Sequence, residues 1–104
     1  MADLAPLQEE ITRFIAARGW QPYQQPKDLA LSIVLEASEL LEHFQWKEGA
    51  ALETYLHTRK EEVSDECADV LIYLLEFCHA MDIDIVRAAH EKMKKNEVKY
   101  PPPS

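Results

Sequence analysis

The sequence predicts an all-α fold, a four-helix bundle with one short extra helix. Three observations carry this reading. Hydrophobic residues make up 47% of the 104 residues and glycine occurs only 2 times, which suits helices and disfavours a turn-rich β fold. Apolar residues recur at three- and four-residue intervals through most of the chain, the period of an amphipathic helix. Gly19, Pro22, Pro26, Gly49 and Pro101-Pro102-Pro103 punctuate those periodic runs. The length fits a single domain over residues 1–104.

Asp3 can cap the first helix. Leu4, Leu7, Ile11, Phe14 and Ile15 then form one apolar stripe, and Gly19 ends it. Trp20 to Lys27 holds two prolines and reads as an extended connection. Its aromatics, Trp20 and Tyr23, either cover the edge of the core or stack on a flat ligand. The second helix is expected from about Lys27 to Trp46, with Gly49 breaking the chain after it. A short helix follows over about Ala50 to His57, turning Leu52, Tyr55 and Leu56 inward. Thr58-Arg59-Lys60-Glu61 reads as a capping box that opens a long helix to about Met81. Asp82 or Asp84 starts a last helix with Val86, Ala89 and Met93 inward, and the proline run stops it.

The second and third long helices carry acids among apolar residues. Glu36 and Glu39 stand at i, i+3 on one, and Glu66 and Asp69 at i, i+3 on the other. That spacing puts each pair on one helical face, about 4.5 Å apart along the axis. With 19 acids, such pairs also arise on solvated faces. Here Leu35, Leu40, Leu41 and Phe44 surround the first pair, and Val70, Leu71, Leu74 and Leu75 crowd the second. A helix apolar nearly all round is buried, and buried carboxylates are costly unless paired or bound to metal. The economical arrangement has the two helices face each other, with four acids sharing divalent cations. Oxygen-only ligands favour Mg²⁺ or Mn²⁺. Glu42, a further step along, drifts off that face.

The net charge of −8 argues against duplex nucleic acid or an anionic membrane as the main partner. No apolar run approaches the roughly 18 residues of a membrane span. No secretory signal is visible, so the expected location is cytoplasmic. Cys67 and Cys78 sit on one predicted helix, roughly 16 Å apart, and read as reduced core residues. His43, His57, His79 and His90 show no ligand spacing with one another and read as ordinary residues. Glu76-x-x-His79 matches half of a di-iron carboxylate motif, and a second half is missing. Lys92, Lys94, Lys95 and Lys99 crowd the last helix, where they either complement the helix dipole or clamp phosphate.

Taken in order, Glu36-x-x-Glu39 and Glu66-x-x-Asp69 resemble the ExxE…ExxD signature of the MazG-like all-α nucleoside triphosphate pyrophosphohydrolases. Gln25-Pro26-Lys27-Asp28-Leu29, Phe44-Gln45-Trp46-Lys47, Asp69-Val70-Leu71-Ile72-Tyr73-Leu74 and Lys92-Met93…Asn96…Lys99-Tyr100-Pro101 resemble the dCTP pyrophosphatase branch. The likeness runs from Trp20 to Pro101. It implies hydrolysis of a (deoxy)nucleoside triphosphate, dCTP or a modified dCTP, to monophosphate and pyrophosphate. It places Mg²⁺ on Glu36, Glu39, Glu66 and Asp69, and the base near Trp20, Tyr23, Gln24 and Trp46. Lys92, Asn96, Lys99 and Tyr100 would lie near the phosphates, and Lys27 would also bind substrate. Gln24 departs from the family, where histidine is common, and so bears on base preference.

A carboxylate must take a proton from the attacking water. Glu39 is chosen because apolar neighbours flank it on both sides, which puts it deepest. Two other classes compete with this enzyme: a non-catalytic helical interaction module with a cation-stabilised acidic core, and a di-metal redox bundle. Assembly is a further expectation. Leu31, Val34 and Leu41 cannot share one azimuth with Leu35 and Phe44, so a second apolar face needs cover. A homodimer burying it, or a homotetramer of two such dimers, fits both this pattern and the resemblance.

Overall fold

A computed structural model of the chain describes residues 4–103, which leaves the expected Asp3 cap outside the described residues. Among these the helices are α1 (Leu4–Ala17), α2 (Pro26–Glu42), α3 (Gly49–Thr58), α4 (Lys60–Ala80) and α5 (Ile85–Lys99), and no strand is present. The all-α expectation, four long helices and a short one, is met.

The organising contact is α2 against α4. α1 lies on α4 as well, and the core forms there. Ile11 and Ile15 of α1 close over Leu75 of α4, which is 1% exposed, with Leu4, Leu7, Ile72 and Ile85 packed around them. Leu29 and Cys78 are the other buried apolar residues. α3 rests on α4, and α5 touches the other elements only lightly, with Ile85 reaching the core. Truncating Leu75→Ala removes the side chain that α1 and α4 share. It should lower unfolding free energy by about 2–5 kcal/mol. Urea denaturation reads this directly, and an unchanged midpoint would show that the α1–α4 seam does not hold the fold.

α1 ends in a Schellman arrangement. Gly19 takes φ +66°, its N–H bonds to Ala16 O at 3.1 Å, and the Trp20 N–H bonds to Ile15 O at 3.0 Å. Glycine meets that left-handed conformation without a Cβ penalty. Asp84 caps α5 by accepting the Arg87 N–H at 3.2 Å.

Several local expectations are corrected. The connection after α1 is not extended, since Gln21–Tyr23 form a 3-10 turn in which the Tyr23 N–H bonds to Trp20 O at 2.9 Å. α2 stops at Glu42, four residues early. His43 and Phe44 already make tighter i−3 bonds to Leu40 and Leu41, and Trp46 turns to φ 66°. Thr58 forms no capping box. It belongs to the end of α3, where its hydroxyl donates to Thr54 O and Tyr55 O. The first residue before α4 is Arg59, whose guanidinium instead holds the Glu62 carboxylate at 3.1 Å. Phe14, Ala89, Met93 and Cys67 are exposed rather than inward.

The largest difference concerns α2. The sequence makes it look buried, yet Leu31, Val34, Leu35 and Leu41 are 54%, 65%, 64% and 56% exposed in the single chain. The chain as a whole is open. Its accessible surface is 8295 Å², where a compact monomer of 12.0 kDa has about 6,000 Å². Its radius of gyration is 17.0 Å against about 13 Å for a compact domain of this length. Among the described residues no helix is long and apolar enough to cross a membrane.

Candidate metal and substrate site

The α2–α4 contact brings three carboxylates together. Glu36, Glu39 and Glu66 each offer one oxygen, and these atoms all lie within 4.8 Å of one another. Glu36 and Glu66 are half-buried, and the Oε2 atom of each is buried with no hydrogen-bond partner. Burial pushes the carboxyls of Glu36 and Glu66 above their usual range. A hydrogen bond shared with Glu39 and repulsion from Glu39 and Asp69 push them further. Asp69 thus acts on both through space, although it stands outside the close three-carboxylate group.

One ground for singling out Glu39 does not survive. Glu39 is exposed, whereas Glu36 and Glu66 are the deeper pair. The apolar neighbours that were to bury it, Leu35 and Leu41 among them, face outward themselves. What distinguishes Glu39 is that it meets both partners from the solvent side, with one carboxylate oxygen within 4.8 Å of theirs.

The orphaned oxygens matter for what the cluster can hold. Buried carboxylate atoms without donors are costly. Three converging carboxylates with a fourth nearby form a set of hard oxygen donors with surplus negative charge, which fits a divalent cation of the Mg²⁺ or Mn²⁺ type.

His43 is a participant that the sequence reading passed over. Its Nδ1 lies 2.8 Å from the Tyr55 hydroxyl of α3, and its Nε2 lies 3.9 Å from Glu66 Oε1. His43 partly offsets the upward push on the Glu66 carboxyl. The signal was available, because His43 stands at i+4 from Glu39 and so shares its azimuth. Tyr73 stands at i+4 from Asp69 in the same way. Burial first, and then the charges of Glu76, Glu36, Asp69 and Glu39, raise the pKa of its phenol.

The residues expected to hold substrate fall into separate groups. Trp20, Tyr23, Gln24 and Tyr73 line a cavity of about 320 Å³ between the 3-10 turn, α2 and α4. Trp20 is held edge-on against Phe14, ring centroids 5.7 Å apart. Lys27 is exposed on the first turn of α2. Trp46 does not join Trp20 and Tyr23 in one chain. It follows the far end of α2, whose 17 residues span about 25 Å, and it is 98% exposed. Lys92, Asn96 and Lys99 lie along α5 and Tyr100 caps it. None of the four bonds to the acidic cluster among the described residues. Asn96 Nδ2 reaches Met93 Sδ at 3.8 Å, and Lys99 Nζ sits 5.3 Å from the Tyr100 ring centroid.

The chain is similar to known proteins in sequence and in fold. The profile of the MazG-like family matches residues 31–104. The chain is 38% identical over 102 residues to dCTP pyrophosphatase 1 of Rattus norvegicus and 34% identical to that of Homo sapiens. Those alignments take in 92% of this chain but 60% of each relative, so the chain spans less than two thirds of their length. A pyrophosphatase from Archaeoglobus fulgidus, known from a crystal structure, superposes with a TM-score of 0.90 at 46% identity, covering 96% of this chain and 94% of that one.

Proposed function

Because this chain belongs to the MazG-like family, we propose that it hydrolyses a (deoxy)nucleoside triphosphate to monophosphate and pyrophosphate, with dCTP or a modified dCTP as substrate and the cytoplasmic nucleotide pool as its place of action. The observation that carries this reading is the carboxylate cluster with two orphaned oxygens beside a cavity walled by Trp20, Tyr23 and Tyr73.

In this reading Glu36, Glu39, Glu66 and Asp69 hold Mg²⁺, or Mn²⁺ in its place. A cation held there would offset triphosphate charge, polarise the α-phosphorus and acidify water. Glu39 takes the proton of the attacking water, because it is open to solvent and stands beside Glu36 and Glu66. His43, tied to Tyr55, steadies Glu66. The base enters the cavity beside Trp20, Tyr23 and Gln24, and Lys27, Lys92, Asn96, Lys99 and Tyr100 serve the phosphates. That no residue of α5 bonds to the cluster within one chain, and that Trp46 is exposed, favour a homodimer or homotetramer in which a neighbouring copy completes the site.

Incubation with a panel of deoxynucleoside triphosphates and Mg²⁺, with EDTA as control, tests the reaction. Monophosphate with pyrophosphate is the expected product pair. Diphosphate with orthophosphate would refute it. Cation binding that raises the melting temperature without any product would instead favour a non-catalytic helical module. Removal of residues from Lys92 onward should raise the KM at least about tenfold, the scale of losing a charge-assisted phosphate contact. Calorimetric Mg²⁺ affinity should not change, since α5 is lightly packed and its core residue, Ile85, is kept. Unaltered kinetics would leave those lysines as dipole partners only.

A further inference from the structure

Glu76 stands seven residues after Asp69 on α4 and has no role in the reaction as drawn above. It is 9% exposed, the one charged side chain among the buried residues described. Burial raises its carboxyl, and no hydrogen bond from another described residue reaches it. A largely buried acid is costly without a donor, which makes it a candidate to meet one on a ligand.

Its surroundings show what kind of donor. Glu76 lines three adjoining cavities, of about 410, 380 and 320 Å³, between α1, the 3-10 turn, α2 and α4. No lysine or arginine lines any of the three, so this is no phosphate site. The smallest is walled by Trp20, Tyr23 and Tyr73, and its other polar side chains are Gln24, Asp28 and Ser32. Aromatic walls suit a flat ring. Two acids without a cation suit a neutral ligand that donates hydrogen bonds. A base with an exocyclic amino group meets both conditions, and carboxylates accept from the N4 amino group of cytosine.

We propose that Glu76 determines base specificity: its carboxylate accepts a hydrogen bond from the exocyclic amino group of a base held among Trp20, Tyr23 and Tyr73, and repels a carbonyl at the same position. This deepens the reading of the cavity as the base site of a nucleotide hydrolase and rests on it. Cytosine and uracil have nearly the same shape and differ at that position, amino against carbonyl. An ionised carboxylate accepts and cannot donate, whereas a glutamine amide does both.

The test uses the full chain with dCMP and dUMP, binding being read by tryptophan fluorescence at mildly alkaline pH. Wild type should favour dCMP by about tenfold to a hundredfold, the worth of one matched base contact. Glu76→Gln should bring the two affinities close together, because its amide N–H can meet the uracil carbonyl. Glu76→Ala should weaken dCMP and strengthen dUMP, because it removes the accepted hydrogen bond from one and the repulsion from the other. Glu76→Gln should melt no lower than wild type, since it removes a charge that burial disfavours and keeps the shape. A wild type that does not discriminate, a dCMP to dUMP ratio that both variants preserve, or equal weakening of both ligands would overturn the assignment. Failure of the two readings is distinguishable. Discrimination that vanishes in Glu76→Gln, in a protein that hydrolyses no triphosphate, would sink the reaction and keep Glu76. Triphosphate hydrolysis with an unaltered ratio would sink Glu76 and keep the reaction.

Discussion

Glu36→Gln and Glu66→Gln should each lower cation-dependent turnover more than ~10²-fold, beyond the loss usual for groups that only support a metal ligand. The same substitutions should raise the melting temperature of the cation-free protein. Both effects come from one cause. Glu36 and Glu66 each hold a buried oxygen with no donor, and each is pressed by the charges of Glu39 and Asp69. Glutamine keeps the shape, removes the charge and supplies an N–H. Glu39→Gln and Asp69→Asn should also remove most turnover.

Acidity gives a second readout. The Glu36 and Glu66 carboxyls bind protons more tightly in the folded chain than in the unfolded one. Stability of the cation-free protein should therefore fall as pH rises from the ordinary carboxylate range through their raised pKa values, and level off above them. Mg²⁺ should restore it on the alkaline side, by binding only the folded form. Melting curves at a series of pH values, with and without Mg²⁺, measure this. Near-normal activity in the variants, or melting that ignores both pH and Mg²⁺, would defeat the assignment of the cluster as a cation site.

Much of this was legible because it depends on spacing along single helices. The i, i+3 pairs told which acids share a face, and Gly19 and the C-terminal prolines told where α1 and α5 stop. Boundaries set by competing local hydrogen bonds were less visible. Thr58 could have capped α4, but its hydroxyl finds Thr54 O and Tyr55 O first. Trp46 looked like a helical residue until the chain turned at His43. Depth was the least legible quantity. Apolar neighbours around Glu39 imply burial only if something covers them, and one chain does not. Glu76 was passed over for a related reason. Its motif is half of a metal motif whose other half is missing, while its burial depends on α1 and the 3-10 turn folding over it.

Sedimentation at micromolar concentration should show a dimer or tetramer, and Val34→Arg with Leu41→Arg should convert it to a 12.0 kDa monomer without pyrophosphohydrolase activity. The surface beyond that of a compact monomer amounts to about 2,300 Å². That is the area a protomer gives up in a large obligate interface. α2 supplies its apolar centre, since Leu31, Val34, Leu35 and Leu41 stand outward along the whole helix. Trp46 points the same way. A bulky residue at φ 66° carries backbone strain and persists where surroundings hold it, yet this one is 98% exposed. A second copy that seats Trp46 would relieve that exposure and bring its ring to a cavity that its own chain cannot reach. Trp46→Ala should then weaken nucleotide binding while leaving the oligomer intact, which separates its contact with substrate from assembly. Dilution gives the decisive comparison. Activity that falls in step with dissociation supports a shared site, and a monomer that turns over substrate at the full rate would rule out both the interface and the borrowed tryptophan.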